Sequence, residues 1–292
     1  MTFDPRQPAT AAQIKQAAET IQKIRPGYSP MIAFYSQIFA AQAEALPQIT
    51  PDPIVINPDL LALKMENEMP LISPIQFIVD MTAAEALITT IADLAVTHAP
   101  KLAGPADTLS TALDQGRLNL DTLFTCLLDS RDITELSHAL EMTPESLGFF
   151  GYNAMFPSIQ ACAAQLATYL PQDHDHNKGY CPICGTAPDL AFLDDKGNRQ
   201  VFCALCSHTW RVKRLGCLFC DVIEKDGHSY FFSEDEKEYR VTYCDACKNY
   251  LKTIDTREMG RRFIPRLEQV TTLHLDLQAG EQGYTRAGDA PA

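Results

Sequence analysis

Four cysteine pairs of the form Cys-x-x-Cys lie within residues 181–247, and they constrain this part of the chain more than any other feature. A Cys-x-x-Cys turn lets two thiolates point at one ion, and two such turns complete a tetrahedral set of four sulfur ligands. Four pairs this close together therefore predict two closed metal sites. The eight candidate ligands are Cys181, Cys184, Cys203, Cys206, Cys217, Cys220, Cys244 and Cys247.

The segments between the pairs indicate how the pairs are grouped. Asp194–Asn198 is a hairpin turn signal that would bring the first two pairs together. Residues 225–227 and 233–235 are turn signals that would do the same for the last two pairs. Residues 207–216 offer no reversal, and an extended segment of this length would carry the chain roughly 30 Å. We therefore expect a shared strand between two sequential sites, although an interleaved grouping of first with third and second with fourth pair stays open.

Both predicted sites use all four ligand positions, which argues against metal-centred hydrolysis and favours a structural or electron-transferring role. Sulfur ligands in this geometry suit zinc and rubredoxin-type iron alike. A thioredoxin-like dithiol is disfavoured because prolines, glycines and strand residues surround the pairs. The chain also lacks the serine hydrolase, P-loop, zinc protease and dinucleotide-binding motifs, so we expect no catalytic residues and no enzyme activity.

Two cysteines and two histidines remain outside these pairs as further candidates. Cys126 and Cys162 lie in apolar helical stretches and are interpreted as small buried hydrophobic residues. His174 and His176 could bind a metal weakly from an extended segment, but such polar tracts usually stay solvated.

The first 170 residues show helical periodicity almost throughout and predict about six to eight helices. Apolar residues recur at helical spacing from Ile14 to Ile21, and residues 82–98 open with a capping-box pattern at Thr82. A last helix is expected from about Pro157.

The later sequence has a different texture. Residues 171–180 are polar and read as a linker, residues 181–254 are strand-like, and helical spacing returns between Leu267 and Leu277. The expected strands are Phe192–Leu193, Gln200–Phe202, Thr209–Val212, Tyr230–Phe232 and Tyr239–Thr242.

These patterns together predict an α+β fold in four parts. An all-helical N-terminal domain covers residues 1–170 and a linker covers 171–180. Residues 181–254 form a double metal-ribbon domain, with two tandem rubredoxin-like or zinc-ribbon knuckle sites and short antiparallel strands. Residues 255–292 form a C-terminal helix and tail.

The formal net charge of −13 opposes nucleic acid and anionic membrane as partners, because such a surface gains little from displacing phosphate counterions. The opening residues MTFDPRQPAT carry no secretory pattern, and no apolar stretch reaches the length of a membrane span. We therefore expect a cytoplasmic protein without membrane insertion.

Several of these motifs together resemble the formate dehydrogenase accessory protein family, FdhE. The resemblance lies in the following residues: CPICG at 181–185, Arg199, CALC at 203–206, Thr209-Trp210, Val212, Arg214, CLFC at 217–220, CDACKNYLK at 244–252 and GYTRAG at 283–288. The chain departs from the family pattern at Phe202, Arg211, Thr242 and Pro265-Arg266.

The resemblance implies a non-enzymatic maturation factor that binds the catalytic, molybdenum- or tungsten-containing subunit of a formate dehydrogenase in the cytoplasm. It also implies two rubredoxin-like sites that hold iron or zinc. Arg211, Lys213 and Arg214 are candidate partner contacts, with a solvated strand edge as the alternative interpretation. A rubredoxin-like electron carrier is the second hypothesis and a zinc-ribbon nucleic-acid module the third, which the net charge opposes. Whether the chain forms a homodimer stays open.

Overall fold

The computed structural model describes residues 7–171, 175–220, 222, 229–232 and 236–287. By packing, the chain divides into two compact units. The helical unit comprises Pro8–Ile54 and Ser73–Gln165, and the ribbon unit comprises Val55–Ile72 together with the described residues from Leu166 onward. The domain boundaries predicted at residues 170, 180 and 254 stay a prediction, but residues 55–72 pack with the later half of the chain.

The helices of the described residues are distributed over the two units. They are α1 (Ala11–Ile24), α2 (Ser29–Ala45), α3 (Pro58–Glu66), α4 (Met81–His98), α5 (Pro100–Asp114), α6 (Leu120–Leu128), α7 (Thr134–Ala139), α8 (Pro144–Leu166), α9 (Pro265–Thr271) and α10 (Leu273–Glu281).

Several helices of the helical unit begin at a polar N-cap side chain, among them α1, α4 and α6. Thr10 and Gln13 form a capping box at the start of α1, which buries Ile14 and Ile21 as its periodicity predicts. The predicted capping at Thr82 is wrong, because Asp80 is the N-cap of α4 and accepts a hydrogen bond from the backbone N–H of Ala83. The predicted helical N-terminal half is confirmed.

The helix expected from about Pro157 instead begins at Pro144, so Pro157 lies inside α8. A proline in a helix leaves the carbonyl four residues earlier without its usual donor. Here that carbonyl belongs to Asn153, and the side-chain amide of the buried Gln42 donates to it at 2.7 Å. The replacement donor explains why the helix continues through the proline.

One sheet runs through the ribbon unit. Its strands are β1 (Leu190–Leu193), β2 (Arg199–Phe202), β3 (Thr209–Arg211), β4 (Ser229–Phe231), β5 (Tyr239–Tyr243), β6 (Asn249–Asp255) and β7 (Thr285–Arg286). The strand order is β3-β2-β1-β6-β5-β4. β1 pairs with the C-terminal end of β6, and β7 pairs with its N-terminal end. The pairings are antiparallel except for β1 with β6 and β6 with β7, which are parallel.

The predicted hairpin at Asp194–Asn198 is confirmed. Gly197 adopts a φ of +76°, and its N–H donates to the Asp194 carbonyl at 2.8 Å, which reverses the chain between β1 and β2. The expected uninterrupted strand between the second and third cysteine pairs is wrong, because strand structure covers only Thr209–Arg211. The two halves of the sheet are joined instead by the parallel pairing of β1 with β6.

The C-terminal helical region covers one face of this sheet. It is divided into α9 and α10 at Thr272, whose hydroxyl donates to the carbonyl of Glu268 at 2.7 Å. Leu275 and Ala279 of α10 enter the core of the ribbon unit, whereas the predicted apolar position Leu277 is 71% exposed. Buried core residues on the strands include Leu190, Phe192, Phe202, Tyr239, Val241, Tyr250 and Ile254. The predicted α+β class with a C-terminal helix is confirmed.

Among the described residues, no helix combines the length and the apolar composition that a bilayer crossing requires.

Candidate metal centres

Each Cys-x-x-Cys pair lies in a tight backbone turn that brings the two sulfur atoms to the same side. In the first turn, the N–H of Gly185 donates to the carbonyl of Cys181 at 2.8 Å, and the N–H of Cys181 donates to the carbonyl of Thr186 at 2.8 Å. The same pair of bonds recurs with Ser207 and His208 after Cys203 and with Lys248 and Asn249 after Cys244. The backbone hydrogen bonds of each turn therefore hold its two cysteines in a fixed local geometry.

The residue after the second cysteine of these turns has a left-handed backbone. Its φ is +77° at Gly185, +62° at Ser207 and +58° at Lys248. Glycine adopts this conformation without cost, but a residue with a Cβ does not. The turn geometry is thus maintained at Ser207 and Lys248 against their own backbone preference.

The structure brings the pairs together in the sequential grouping predicted from the turns, and the interleaved grouping is wrong. We call Cys181, Cys184, Cys203 and Cys206 the first cluster and Cys217, Cys220, Cys244 and Cys247 the second cluster. Within each cluster all four sulfur atoms lie within 4.8 Å of one another. In the first cluster, Sγ–Sγ distances are 3.6 Å for Cys181–Cys206 and 3.7 Å for Cys184–Cys203 and Cys184–Cys206. In the second, they are 3.6 Å for Cys217–Cys247 and 3.7 Å for Cys220–Cys244.

These distances suit four sulfur atoms around one ion. A metal–sulfur bond of about 2.3 Å in a tetrahedron separates its sulfur ligands by about 3.8 Å. A disulfide needs a sulfur–sulfur distance of about 2.05 Å, so the observed separations are not those of bonded cysteines. Both clusters could therefore hold a tetrahedral ion, and the four sulfur donors suit zinc and iron alike.

The pKa values of the thiols make ion binding depend on pH, because a proton competes with the ion for each sulfur atom. Hydrogen bonds from neighbouring cysteines, with that of Cys181 the largest, lower the pKa of Cys184. Burial raises the pKa of Cys203 and of Cys206, and it raises the pKa of Cys217 to about 12. Thiols with such pKa values stay protonated at neutral pH unless a cation stabilises the thiolate. An ion in either cluster would supply that stabilisation and would be released as the solution becomes acidic.

The first cluster is enclosed by the rest of the ribbon unit, and its four cysteines are at most 1% exposed. Part of this cover is a segment that we call the strap, residues 67–72. The backbone N–H groups of Leu71 and Ile72 donate to the carbonyls of Pro182 and Ile183, each at 2.9 Å. The strap therefore closes over the first Cys-x-x-Cys turn with two backbone hydrogen bonds.

Two side-chain contacts also attach Glu68 of the strap to residues just before the first Cys-x-x-Cys turn. Glu68 pairs with Lys178 at 3.1 Å, and its carbonyl accepts a hydrogen bond from the hydroxyl of Tyr180 at 2.9 Å. Pro70 packs so close to Gly185 that a Cβ there would lie 3.2 Å from the proline ring. Sequence reasoning missed the strap, because these six residues carry no periodic pattern that indicates what they contact.

The second cluster is more open. Cys244 is buried, but Cys217, Cys220 and Cys247 are half-buried. A cavity next to the cluster is lined by Cys217, Cys244 and the side chain of Arg199, which comes from β2 of the other half of the sheet. Arg199 is another functional candidate that the cysteine spacing could not reveal.

The remaining predicted residues lie away from the clusters or outside the described chain. His174 falls outside the described residues, and the buried His176 packs its ring against Tyr180. Arg211, a candidate partner contact, forms an ion pair with Asp175 at 2.8 Å, and this part of the predicted linker is hydrogen-bonded to β3.

Comparisons with known proteins give curated relatives that match part of the chain. A protein FdhE homolog of Aquifex aeolicus is 35% identical over 113 residues, which are 37% of this chain and 40% of the relative. Protein FdhE of Escherichia coli K12 is 28% identical over 137 residues, or 44% of this chain and 43% of the relative. An FdhE homolog of Actinobacillus pleuropneumoniae is 30% identical over 135 residues. The matches thus span less than half the length of these relatives.

A solved structure matches almost the whole chain. The crystal structure of the FdhE protein from Pseudomonas aeruginosa superposes with a TM-score of 0.64 over 98% of this chain and 96% of that one, at 20% sequence identity. This likeness shows a shared fold. No family model matches the sequence. The resemblance to the FdhE family stated from the cysteine motifs is confirmed by the curated relatives and the shared fold.

Proposed function

Because this chain is similar to FdhE proteins in part of its sequence and shares their fold, we propose that it is an accessory protein for a formate dehydrogenase and binds the enzyme's catalytic subunit during assembly in the cytoplasm. The observation that carries the proposal is the pair of four-cysteine clusters in a chain whose sequence and fold are similar to FdhE proteins. The enzyme would be the client, and this chain would act by binding it rather than by catalysis.

Closed ligand sets support a role without catalysis. We propose that the eight cysteines hold two ions, iron or zinc, and that each ion is coordinated by sulfur alone. Such an ion stabilises the fold and, if it is iron, accepts and donates one electron. In the described residues no third group of three or more histidine, cysteine or acidic side chains lies close enough to hold a metal.

The proposed binding role is tested by capture of the client. The tagged protein should retain the catalytic subunit of a formate dehydrogenase from the same cells, and Cys206→Ser or Cys247→Ser should abolish that retention. Cys126→Ser is the matched control, because Cys126 is half-buried and belongs to neither cluster. Normal maturation of the dehydrogenase in cells that lack this protein would overturn the proposal.

The half-exposed second cluster favours an electron carrier as the second candidate. Three of its cysteines reach the surface, so an iron ion there would lie close to a docked redox partner. The purified protein should then be coloured and show a reversible one-electron couple. Colourless zinc protein from iron-replete cells would exclude this candidate and leave the accessory role untouched.

A further inference from the structure

Arg199 carries a positive charge into the interior of the ribbon unit. The residue is 6% exposed and belongs to β2, in the half of the sheet that carries the first cluster. Its side chain nevertheless reaches the other half, where its Nη1 donates to the carbonyl of Gly216 at 3.4 Å. Gly216 directly precedes Cys217, so the guanidinium lies beside the second cluster.

A buried guanidinium needs an opposite charge nearby, because it has lost its hydration. Burial lowers the pKa of Arg199 to about 10. The side chain is still protonated at neutral pH. In the part of the chain that the structure describes, Arg199 has no carboxylate as an ion-pair partner.

The second cluster can supply that opposite charge. Arg199, Cys217 and Cys244 line the same cavity, together with Gly216 and Leu218. Four thiolates around a divalent ion carry a net charge of two minus, and around a ferric ion one minus. No acidic side chain would then be required beside the guanidinium.

We propose that Arg199 is the electrostatic partner of the metal centre in the second cluster, an inference that rests on the proposed metal binding. As a positioning residue, it offsets the negative charge of the four thiolates. It also ties the loading of the second cluster to β2, the strand between the two cysteine pairs of the first cluster. The second centre therefore depends on a residue 18 positions before its first ligand.

Arg199→Met tests this role, because methionine keeps much of the side-chain volume and removes the charge. Loss of a partner in the surroundings of a metal typically lowers metal affinity about 10- to 100-fold. We expect native mass spectrometry under a chelator titration to show one of the two zinc ions released at correspondingly lower chelator concentration. Alkylation followed by peptide mapping should identify the freed thiols as Cys217, Cys220, Cys244 and Cys247. Arg211→Met is the control, because Arg211 lies on the neighbouring strand and pairs with Asp175.

The reduction potential separates a charge effect from a packing effect. In iron-reconstituted protein, a nearby positive charge favours the reduced centre, since reduction makes the centre more negative. Arg199→Met should therefore lower the potential of one centre and leave the other unchanged, and Arg199→Lys should restore most of the difference. Loss of affinity without a change of potential would overturn the proposal in favour of a role confined to holding Gly216.

The outcomes also separate this inference from the proposed metal binding. A wild-type protein that binds no ion would remove both. Two ions held equally tightly by the wild type and by Arg199→Met would remove the role of Arg199 alone. If Arg199→Met does not fold, Arg199→Lys decides, because lysine keeps the charge. This variant should bind the second ion with nearly the affinity and the reduction potential of the wild type. A folded Arg199→Lys that loses the ion from the second cluster would contradict the proposal.

Discussion

The two cysteine clusters share their ligands and their turn geometry but differ in their surroundings. The first is sealed, with four cysteines at most 1% exposed, and the strap covers one of its turns. The second has three half-buried cysteines and an adjacent cavity, and its described neighbourhood includes the exposed Leu215 and Val222. Two sites with identical ligands can therefore differ in function when the residues around them leave the ligands exposed to different extents.

The sealed cluster is suited to stabilising the fold, and the open cluster is suited to exchange or contact. A buried ion is released only when the surrounding structure opens, whereas a half-exposed ion is reached by solvent in the native state. We therefore expect the first cluster to determine the stability of the ribbon unit and the second to respond to partners, chelators and oxidants.

The largest expected difference is in folding. Cys206→Ser removes one ligand from the first cluster, and a structural ion of this kind contributes on the order of 10 kcal/mol. We expect the ribbon unit of this variant to unfold at 25 °C, whereas Cys247→Ser should keep its strands and lose only local order. Circular dichroism and limited proteolysis measure both, with Cys126→Ser as the control. Equal damage in the two variants would contradict the comparison.

A smaller effect is expected from the strap. Ile72→Pro removes the backbone N–H that donates to the carbonyl of Ile183, and an unpaired buried acceptor costs about 1–3 kcal/mol. The first cluster should then become sensitive to a chelator that spares it in the wild type. The control is Ile72→Val, which keeps the donor. If both variants hold the first ion equally well, the strap is not what seals it.

A smaller difference between the clusters is expected in the rate at which their cysteines are alkylated. In the metal-loaded wild type, Cys217, Cys220 and Cys247 should be alkylated at least about tenfold faster than the cysteines of the first cluster, which corresponds to about 1.4 kcal/mol in the free energy of opening. Peptide mapping over a time course measures the order. Alkylation of the first cluster at the same rate would show that its burial gives no protection.

The smallest effect concerns the left-handed residues of the turns. Ser207→Gly should stabilise the metal-loaded protein by about 0.5–1 kcal/mol, because glycine adopts a positive φ without strain. Lys248→Gly should gain less, since Lys248 also pairs with Asp245 at 2.8 Å and lies over the ring of Tyr284. Denaturant titration compares the two. A destabilised Ser207→Gly would show that the serine side chain contributes more than its backbone costs.

Local patterns predicted much of this molecule. The helical stripe from Ile14 to Ile21, the hairpin at Asp194–Asn198 and the sequential grouping of the cysteines all depend on residues close together in the chain. Periodicity, turn chemistry and the spacing of ligands encode such features directly.

Features that depend on distant partners were missed or wrong. The helix through Pro157 continues because Gln42, 111 residues away, supplies the missing donor. The central position of β6 depends on its parallel pairing with β1, for which neither strand carries a local signal. Arg199 belongs to the residues that carry the family resemblance, but no local pattern shows that the fold places it beside the second cluster. In each case the deciding contact is set by tertiary structure rather than by propensity.

The strap also has a consequence for the order of events during synthesis. The hydrogen bond between the hydroxyl of Tyr180 and the carbonyl of Glu68 joins residues 112 positions apart. The ribosome must therefore synthesise the intervening chain before the strap can contact the first Cys-x-x-Cys turn. Contacts of such long range form slowly, because the loop between them must close first. The first four cysteines would therefore stay uncovered for an interval after they leave the ribosome, in which the ion can enter before the cover is in place.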